Sequence, residues 1–171
     1  MELATERLLL RPWRRGDEEA LVRHADNPRV SRFLRDRFPS PYGRSDAERW
    51  IAHVESQPGP PTAFALVVVG EPVGGIGVEP FGDVHRVGGE LGYWLGESCW
   101  GQGYATEAVR AMVPYGFDTL GLLRLQATVY APNAASARVL EKAGFVHEGT
   151  MRRAVLKRGE VHDVLLYARV R

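Results

Sequence analysis

The apolar positions of this chain follow two different periods, which predicts a mixture of strands and helices. Alternation or a short continuous apolar run indicates a strand, whereas spacing of i, i+3, i+4 and i+7 indicates one face of a helix. The pattern predicts strands near residues 8–10, 63–69, 73–81, 87–95, 123–130, 145–156 and 161–170, with an interruption near Met151. It predicts helices near residues 17–25, directly after Asn27, and near 45–54, 104–119 and 133–143.

Capping residues, proline and glycine refine this outline. Ser45 and Glu48 have the spacing of a capping box and predict the start of the third helix. Pro114 removes a backbone hydrogen bond to the carbonyl of Arg110, which predicts a kink or an early end in the fourth helix. Three glycines inside one strand, at positions 74, 75 and 77, indicate a bulge or a close backbone approach. No helical pattern follows them, so we do not interpret them as a phosphate-binding loop.

The most informative stretch is a strand, a turn and a helix over residues 90–108. Gly101 and Gly103 precede the helix, whose apolar face is Ala105, Ala108, Val109, Met112, Gly116, Phe117 and Leu120. The first N–H groups of a helix lack intrahelical partners and its dipole makes this end partly positive, so such a turn binds anions. Two glycines before a helix equally fit a tight turn. P-loop and dinucleotide fingerprints are absent, because no Gly-Lys-Ser/Thr follows and Thr106 replaces the third glycine.

Four motifs follow one another along the chain. They are Gly89-Glu90-Leu91-Gly92-Tyr93-Trp94-Leu95, Trp100-Gly101-Gln102-Gly103-Tyr104-Ala105-Thr106-Glu107-Ala108, Asn133-Ala134-Ala135-Ser136 and Leu140-Glu141-Lys142-Ala143-Gly144-Phe145. In this order they resemble the GCN5-related N-acetyltransferases (GNAT), specifically the branch of the ribosomal-protein N-terminal acetyltransferases RimJ and RimL. The opening Thr5-Glu6-Arg7-Leu8-Leu9-Leu10-Arg11-Pro12 matches that branch too. One departure is Trp100, which stands where the family's diphosphate signature begins with Arg or Gln.

The resemblance implies a single α/β domain of the GNAT fold over residues 1–171. In that fold a mixed, mostly antiparallel sheet of about seven strands carries helices on both faces. The resemblance also implies acetyl-CoA as the cofactor, bound by Leu95, Trp100, Gly101, Gln102, Gly103, Tyr104, Ala105, Thr106, Asn133 and Ser136. The strands at 87–95 and 123–130 are expected to splay and to leave a slot for the pantetheine arm.

Acyl transfer from a thioester to an amine needs a positioned carbonyl, a base for the amine's proton and help for the departing thiolate. Glu90 is the candidate base, because the family often places a carboxylate on this strand; an ion-paired surface glutamate is the alternative. The resemblance implies that Ser136 protonates the thiolate and that Asn133 binds the pantetheine arm, while Asn133 is equally a natural N-cap. It implies an acceptor pocket near Arg32, Phe33 and Trp94, whereas a solvated basic face with core aromatics is the alternative.

Composition limits the other classes of function. The chain has 171 residues, 44% of them hydrophobic, and a net charge of +1, which offers no general attraction for nucleic acid or a membrane. No apolar run is long enough to span a membrane. The single cysteine, Cys99, excludes an internal disulfide and favours a reducing, cytoplasmic location. Cys99 lacks a paired histidine and carboxylate for nucleophilic catalysis, and the five histidines lack metal-ligand spacing, so we expect no metal.

The sequence therefore predicts an enzyme that transfers an acetyl group from acetyl-CoA directly to a primary amine, as a monomer or homodimer. A protein or peptide N-terminus is the favoured acceptor. A small amine, such as a polyamine, an aminoglycoside or an amino-acid analogue, is the alternative. A non-catalytic acyl-CoA-binding protein is a third interpretation, but it would place no chemical demand on Glu90, Asn133 or Ser136.

Overall fold

Eight strands form one mixed sheet in the computed structural model, which describes every residue from Met1 to Arg171. The strands are β1 (Leu3–Ala4), β2 (Leu9–Pro12), β3 (Ala63–Val68), β4 (Glu71–Pro80), β5 (Gly88–Leu95), β6 (Arg124–Tyr130), β7 (Val146–Lys157) and β8 (Glu160–Val170). Their order across the sheet is β1-β2-β3-β4-β5-β6-β8-β7. The periodicity predicted seven of them. The eighth is β1, whose two residues pair with Leu10 and Leu9 of β2.

Five α-helices connect these strands. They are α1 (Glu18–Ala25), α2 (Pro28–Ser31), α3 (Arg44–Glu55), α4 (Tyr104–Pro114) and α5 (Ala134–Lys142). β5 and β6 are parallel neighbours, with Gly88 opposite Arg124 and Glu90 opposite Gln126. Parallel strands need a long crossover connection, and α4 is the helix of that crossover. The α/β fold class predicted from the sequence is confirmed.

The predicted capping box of α3 is wrong. The helix begins at Arg44, one residue before Ser45, and its N-cap is Gly43. The backbone N–H of Gly43 donates to Asp46 Oδ2 at 2.8 Å, so Asp46 supplies the carboxylate at this helix entrance. Glu48 instead accepts a hydrogen bond from Arg44 Nε at 2.9 Å, one turn apart on the exposed face.

Pro114 ends α4 as an α-helix, which confirms the predicted early end. The helical chain continues as one π-turn over Tyr115–Thr119, closed by the N–H of Leu120 donating to the carbonyl of Tyr115 at 3.1 Å. The missing N–H of Pro114 gives the physical reason, because the hydrogen-bond ladder loses a donor there and resumes with a wider turn.

The strand over residues 145–156 is not interrupted near Met151, contrary to the prediction. β7 is continuous, but its register with β8 shifts twice, between His147 and Gly149 and between Met151 and Val155. Arg153 lies in the second bulge with a φ of 53°, and its N–H donates to Asp163 Oδ1 at 2.7 Å. A bulge places residues out of the alternating pattern, which is why the sequence suggested a break.

The three strand glycines at positions 74, 75 and 77 mark close backbone approaches, as predicted. A Cβ atom on Gly74 would lie 2.3 Å from the carbonyl oxygen of Trp94, and one on Gly75 would lie 2.8 Å from the Trp94 indole nitrogen. A Cβ atom on Gly77 would lie 2.7 Å from the carbonyl oxygen of Thr62. A residue with a side chain would therefore fit at these positions only if neighbouring atoms shifted.

The chain divides into two compact units, and β4, β5 and α4 each pass from one to the other. The first unit is Met1–Gly77 with Tyr93–Ala108, and the second is Val78–Gly92 with Val109–Arg171. The core of the first unit is Trp13, Leu21, Ala25, Tyr42, Ala47, Ile51, Ala65 and Val67. The second unit buries residues that include Leu91, Met112, Leu125, Val129, Leu140 and Tyr167. Whether the chain acts as one domain stays a prediction.

Candidate functional site

The turn between β5 and α4, in the first unit, exposes the backbone at a helix entrance. Gly101 and Gly103 have φ values of 75° and 83°, which residues with a side chain rarely adopt. A Cβ atom on Gly101 would meet no atom within 4 Å, so a ligand can approach the backbone there. The N–H of Glu107 donates to the carbonyl of Gly103 at 3.1 Å, which begins the helical ladder. The N–H groups of Tyr104, Ala105 and Thr106 precede it and point toward the open end of the helix.

Trp100 braces this turn through its indole group. Its Nε1 donates to the carbonyl of Leu95 at 2.9 Å and so ties the turn to the end of β5. The side chain of Leu95 is buried, while Trp100 is 42% exposed. The guanidinium of Arg29 lies 5.7 Å from the centre of the Trp100 ring, and Arg29 also pairs with Glu97. Trp100 thus acts as an aromatic brace between the turn and the end of β5.

A network of polar contacts surrounds Glu107 in the first turn of α4. Thr5 Oγ1 and the backbone N–H of Arg7 donate to Glu107 Oε1 at 2.6 and 2.8 Å. Arg7 Nε donates to Glu107 Oε2 at 2.8 Å, and Arg7 Nη1 donates to the carbonyl of Gln102 at 2.9 Å. Burial raises the pKa of the Glu107 carboxyl, but the hydrogen bonds from Thr5 and Arg7 outweigh burial, so the pKa lies below its ordinary value.

The residues predicted for the acceptor pocket lie in the first unit as well. Arg32 is exposed and its guanidinium lies 4.9 Å from the centre of the Phe33 ring. Trp94 packs edge-on against Phe38, with ring centroids 5.4 Å apart, and Phe38 in turn contacts Tyr42 at 5.0 Å. Burial raises the pKa of Tyr42 to about 12, so its hydroxyl stays neutral at physiological pH. The acceptor role of Arg32, Phe33 and Trp94 stays a prediction.

Glu90 and Thr128 form a hydrogen bond within the second unit. Thr128 Oγ1 donates to Glu90 Oε1 at 2.6 Å, and both side chains are partly buried. Glu90 is the last β5 residue in register with β6, and Leu91 and Gly92 continue β5 beyond that register. The hydroxyl fixes one carboxylate oxygen, which holds Glu90 in a defined orientation.

Asn133 caps α5, as its sequence position predicted. Its side-chain oxygen accepts a hydrogen bond from the backbone N–H of Ser136 at 3.3 Å. This cap uses the oxygen of the amide, so a ligand contact through the Asn133 amide nitrogen is compatible with it. Ser136 lies in the first turn of α5 and is half-buried.

The remaining candidate groups show no catalytic arrangement. Cys99 is a free, half-buried thiol whose sulfur lies 3.9 Å from Ser98 Oγ. No group of three or more His, Cys, Asp or Glu residues is placed to hold a metal ion. None of the helices is both long and apolar enough to cross a membrane.

Comparison with known proteins identifies the family. The family model described as "Acetyltransferase (GNAT) domain" matches residues 7–146. The chain belongs to the GNAT acetyltransferase family. It is an N-acetyltransferase, and acetyl-CoA is the acetyl donor that enzymes of this family use.

Two sequence relatives illustrate the range of similarity. The uncharacterized N-acetyltransferase YoaA of Bacillus subtilis (strain 168) is 32% identical over 171 residues, which covers 99% of this chain and 96% of YoaA. The ribosomal-protein-serine acetyltransferase of Escherichia coli (strain K12) is 35% identical over 81 residues, which covers 47% of this chain and 45% of that protein.

Solved structures share the fold over nearly the whole chain. A GNAT-family acetyltransferase from Bacillus anthracis superposes with a TM-score of 0.86 at 26% identity, covering 99% of this chain and 98% of that one. Mycobacterium smegmatis RimJ in complex with CoA-disulfide superposes with a TM-score of 0.81 at 26% identity, covering 95% and 81%. The predicted GNAT fold is confirmed, with eight strands where about seven were expected.

Sequence reasoning missed several polar partners of the candidate residues in each unit. Thr5 and Arg7 belong to the opening motif that matched the family branch, but their contacts with Glu107 cross about a hundred positions of sequence. Thr128 is a polar residue of β6 that periodicity alone places on a strand face. Its link to Glu90 depends on the parallel register, which the sequence does not reveal.

The Glu107 network predicts a specific pH dependence of stability. The folded-state pKa of Glu107 lies below its ordinary value of 4.5. The carboxylate's contribution to the free energy of unfolding should therefore be complete above pH 4.5 and should disappear as the pH falls through the lowered pKa. Chemical denaturation of the wild type and Glu107→Gln should show a stability difference that shrinks below pH 4.5. Thr5→Val should give an intermediate profile, and a pH-independent difference would contradict this assignment.

Proposed function

We propose that this GNAT enzyme acetylates the N-terminal α-amino group of a protein or peptide. The observation that carries the proposal is the exposed basic segment after α2, in which Arg32, Arg35 and Arg37 all reach solvent. Three arginines beside one carboxylate, Asp36, leave this segment with a net positive charge, which repels a polycationic acceptor such as a polyamine or an aminoglycoside and tolerates an acceptor with one amino group. Similarity to the E. coli relative, a ribosomal-protein-serine acetyltransferase, supports the same acceptor class.

For the acetyl donor, we propose that the turn before α4 binds the diphosphate of acetyl-CoA. The open backbone at Gly101 and the N–H groups of Tyr104, Ala105 and Thr106 supply donors at the positive end of the helix dipole. Asn133 is proposed to contact the pantetheine arm through its amide nitrogen, since its oxygen serves the helix cap. The side chains of Gln102 and Trp100 hold the turn through the carbonyls of Ser98 and Leu95.

We propose direct transfer with Glu90 as the base and Ser136 as the acid. Alkyl amines are largely protonated near pH 7, so a base must remove a proton before the nitrogen can attack the thioester carbonyl. Glu90 accepts that proton, directly or through water, and Thr128 keeps its carboxylate oriented. Ser136 donates a proton to the departing thiolate and regains one, directly or through water, from the nitrogen of the tetrahedral intermediate, which loses it as the amide forms. The thiolate needs only mild help because free thiols have a pKa of about 8.5. Cys99 takes no part in the transfer.

Two sequence-based expectations complete the proposal. The single cysteine favours a reducing environment, so we place the enzyme in the cytoplasm. Its state as a monomer or a homodimer stays a prediction.

Thiol release from acetyl-CoA tests the acceptor. Peptides with a free N-terminus should release CoA thiol, whereas the same peptides with a blocked N-terminus and a free lysine should release little. Spermidine and kanamycin are tested in the same assay as the polyamine and aminoglycoside acceptors. Faster release with either small amine would favour the small-molecule alternative. CoA binding by calorimetry without turnover on any amine would identify a non-catalytic acyl-CoA-binding protein.

Gly103→Val tests the diphosphate role of the turn. A Cβ atom at Gly103 would be 3.3 Å from Arg7 Nη2, and the φ of 83° strains any side-chain-bearing residue. We expect the affinity for CoA to fall by at least about tenfold, equivalent to about 1.4 kcal/mol. Gly59→Val is the matched control, because Gly59 has a φ of 87° with no atom near its Cβ position. Equal affinities in folded Gly103→Val and in the wild type would remove the turn from the donor site.

Glu90→Gln tests the base. The substitution keeps the shape and removes the basicity, and a positioned base is worth on the order of 10² to 10⁴ in rate. We expect the turnover number to fall at least about tenfold near neutral pH and to recover partly at high pH, where the amine arrives neutral. Glu160→Gln, in the exposed β7–β8 hairpin, is the control. Wild-type rates in Glu90→Gln across the pH range would leave Glu90 as a structural residue.

A further inference from the structure

We propose that Arg7 is a positioning residue for the donor site: it holds the turn before α4 and neutralises Glu107, so that the helix entrance accepts a diphosphate. This inference rests on the diphosphate role proposed above for the turn. Arg7 belongs to the opening stretch that resembles the family branch, but the roles proposed for Glu90, Asn133 and Ser136 do not involve it.

Arg7 bridges the turn before α4. The guanidinium of Arg7 reaches both sides of the turn at once, because Nη1 donates to the carbonyl of Gln102 at 2.9 Å while Nε donates to Glu107 at 2.8 Å. The Arg7 guanidinium carbon also lies 4.9 Å from the centre of the Tyr104 ring. The Arg7 side chain thus contacts Gln102 and Tyr104, the residues immediately before and after Gly103. These contacts hold the backbone of the turn in place at the helix entrance.

Arg7 also balances the charge of Glu107 in the first turn of α4. A carboxylate in the first turn of a helix is attracted to the same partly positive end that would bind a phosphate. An uncompensated Glu107 would therefore occupy the helix entrance or repel an anionic ligand from it. Arg7 Nη2 lies 2.7 Å from Glu107 Oε2, and Thr5 Oγ1 and the Arg7 backbone N–H occupy Oε1. Both carboxylate oxygens are engaged away from the backbone donors, and the charge is balanced.

Part of the Arg7 side chain remains exposed to solvent. Arg7 retains 45% of its side-chain exposure although three of its nitrogen atoms are engaged by Glu107 and Gln102. A guanidinium has five N–H groups, so it can hold these contacts and still present its remaining N–H donors to solvent beside Gly103. The structure therefore assigns to Arg7 both a mechanical role and an electrostatic one, and a variant that lacks both Arg7 and the Glu107 charge separates the two.

The experiment compares acetyl-CoA with S-acetylpantetheine, which has the same thioester and arm but no phosphates. Arg7→Met should raise the KM for acetyl-CoA about tenfold, with kcat changed by less than about twofold, and leave the KM for S-acetylpantetheine unchanged. Arg7→Met combined with Glu107→Gln should recover a large part of the affinity for acetyl-CoA, because no carboxylate then opposes the diphosphate. Arg44→Met, which breaks the exposed pair with Glu48, is the matched control.

Calorimetric titration of CoA and of pantetheine accompanies the kinetics, and Arg7→Lys serves if Arg7→Met does not fold. Arg7→Lys keeps the charge but loses the forked contacts, so its loss of CoA affinity should be smaller. An equal loss for both donors, or no recovery in the double variant, would show that Arg7 is a structural tie only. Unchanged CoA affinity in folded Arg7→Met would remove any role at the site. If the wild type itself does not bind CoA, the proposed donor site fails instead.

Discussion

The first backbone N–H groups of α4, which have no partner within the helix, are the constraint on which the proposed donor site depends. A helix cannot satisfy its own first donors, so the protein must either cap them or leave them for a ligand. Here the nearby carboxylate that could accept from them is used elsewhere, because Glu107 is engaged by Thr5 and Arg7. The two left-handed glycines then keep the approach open.

The sequence predicts well those features that arise from neighbouring residues. Periodicity located seven of the eight strands, and the proline rule located the end of α4. Periodicity failed where a structural element is too short or too irregular to show a repeating pattern. β1 has only two residues, and the second bulge in β7 shifts the alternation so that a continuous strand reads as two. At α3 two acidic residues compete for one capping position, and spacing alone does not distinguish Asp46 from Glu48.

For the candidate catalytic residues, the sequence identifies the residues themselves but not their partners in the fold. Glu90 was identified by its strand position and the family motif, and Asn133 by its place before a helix. Strand position and motif do not identify Thr128 as the partner of Glu90. That pairing depends on the register of β5 and β6, two parallel strands whose connection contains α4. The bond from Thr128 also gives the carboxylate an orientation, which is the property that a base needs and that no motif describes.

The tie between Arg7 and Glu107 has a consequence for the order of events during synthesis. The two residues are 100 positions apart, so the first strands of the nascent chain exist long before the helix that they must meet. The helix entrance can reach its final charge balance only after Glu107 has left the ribosome and folded back onto the start of the chain. A contact of such long range forms against the loop entropy of the chain between its partners. The charge balance of the helix entrance therefore depends on a contact that closes a loop of about 100 residues.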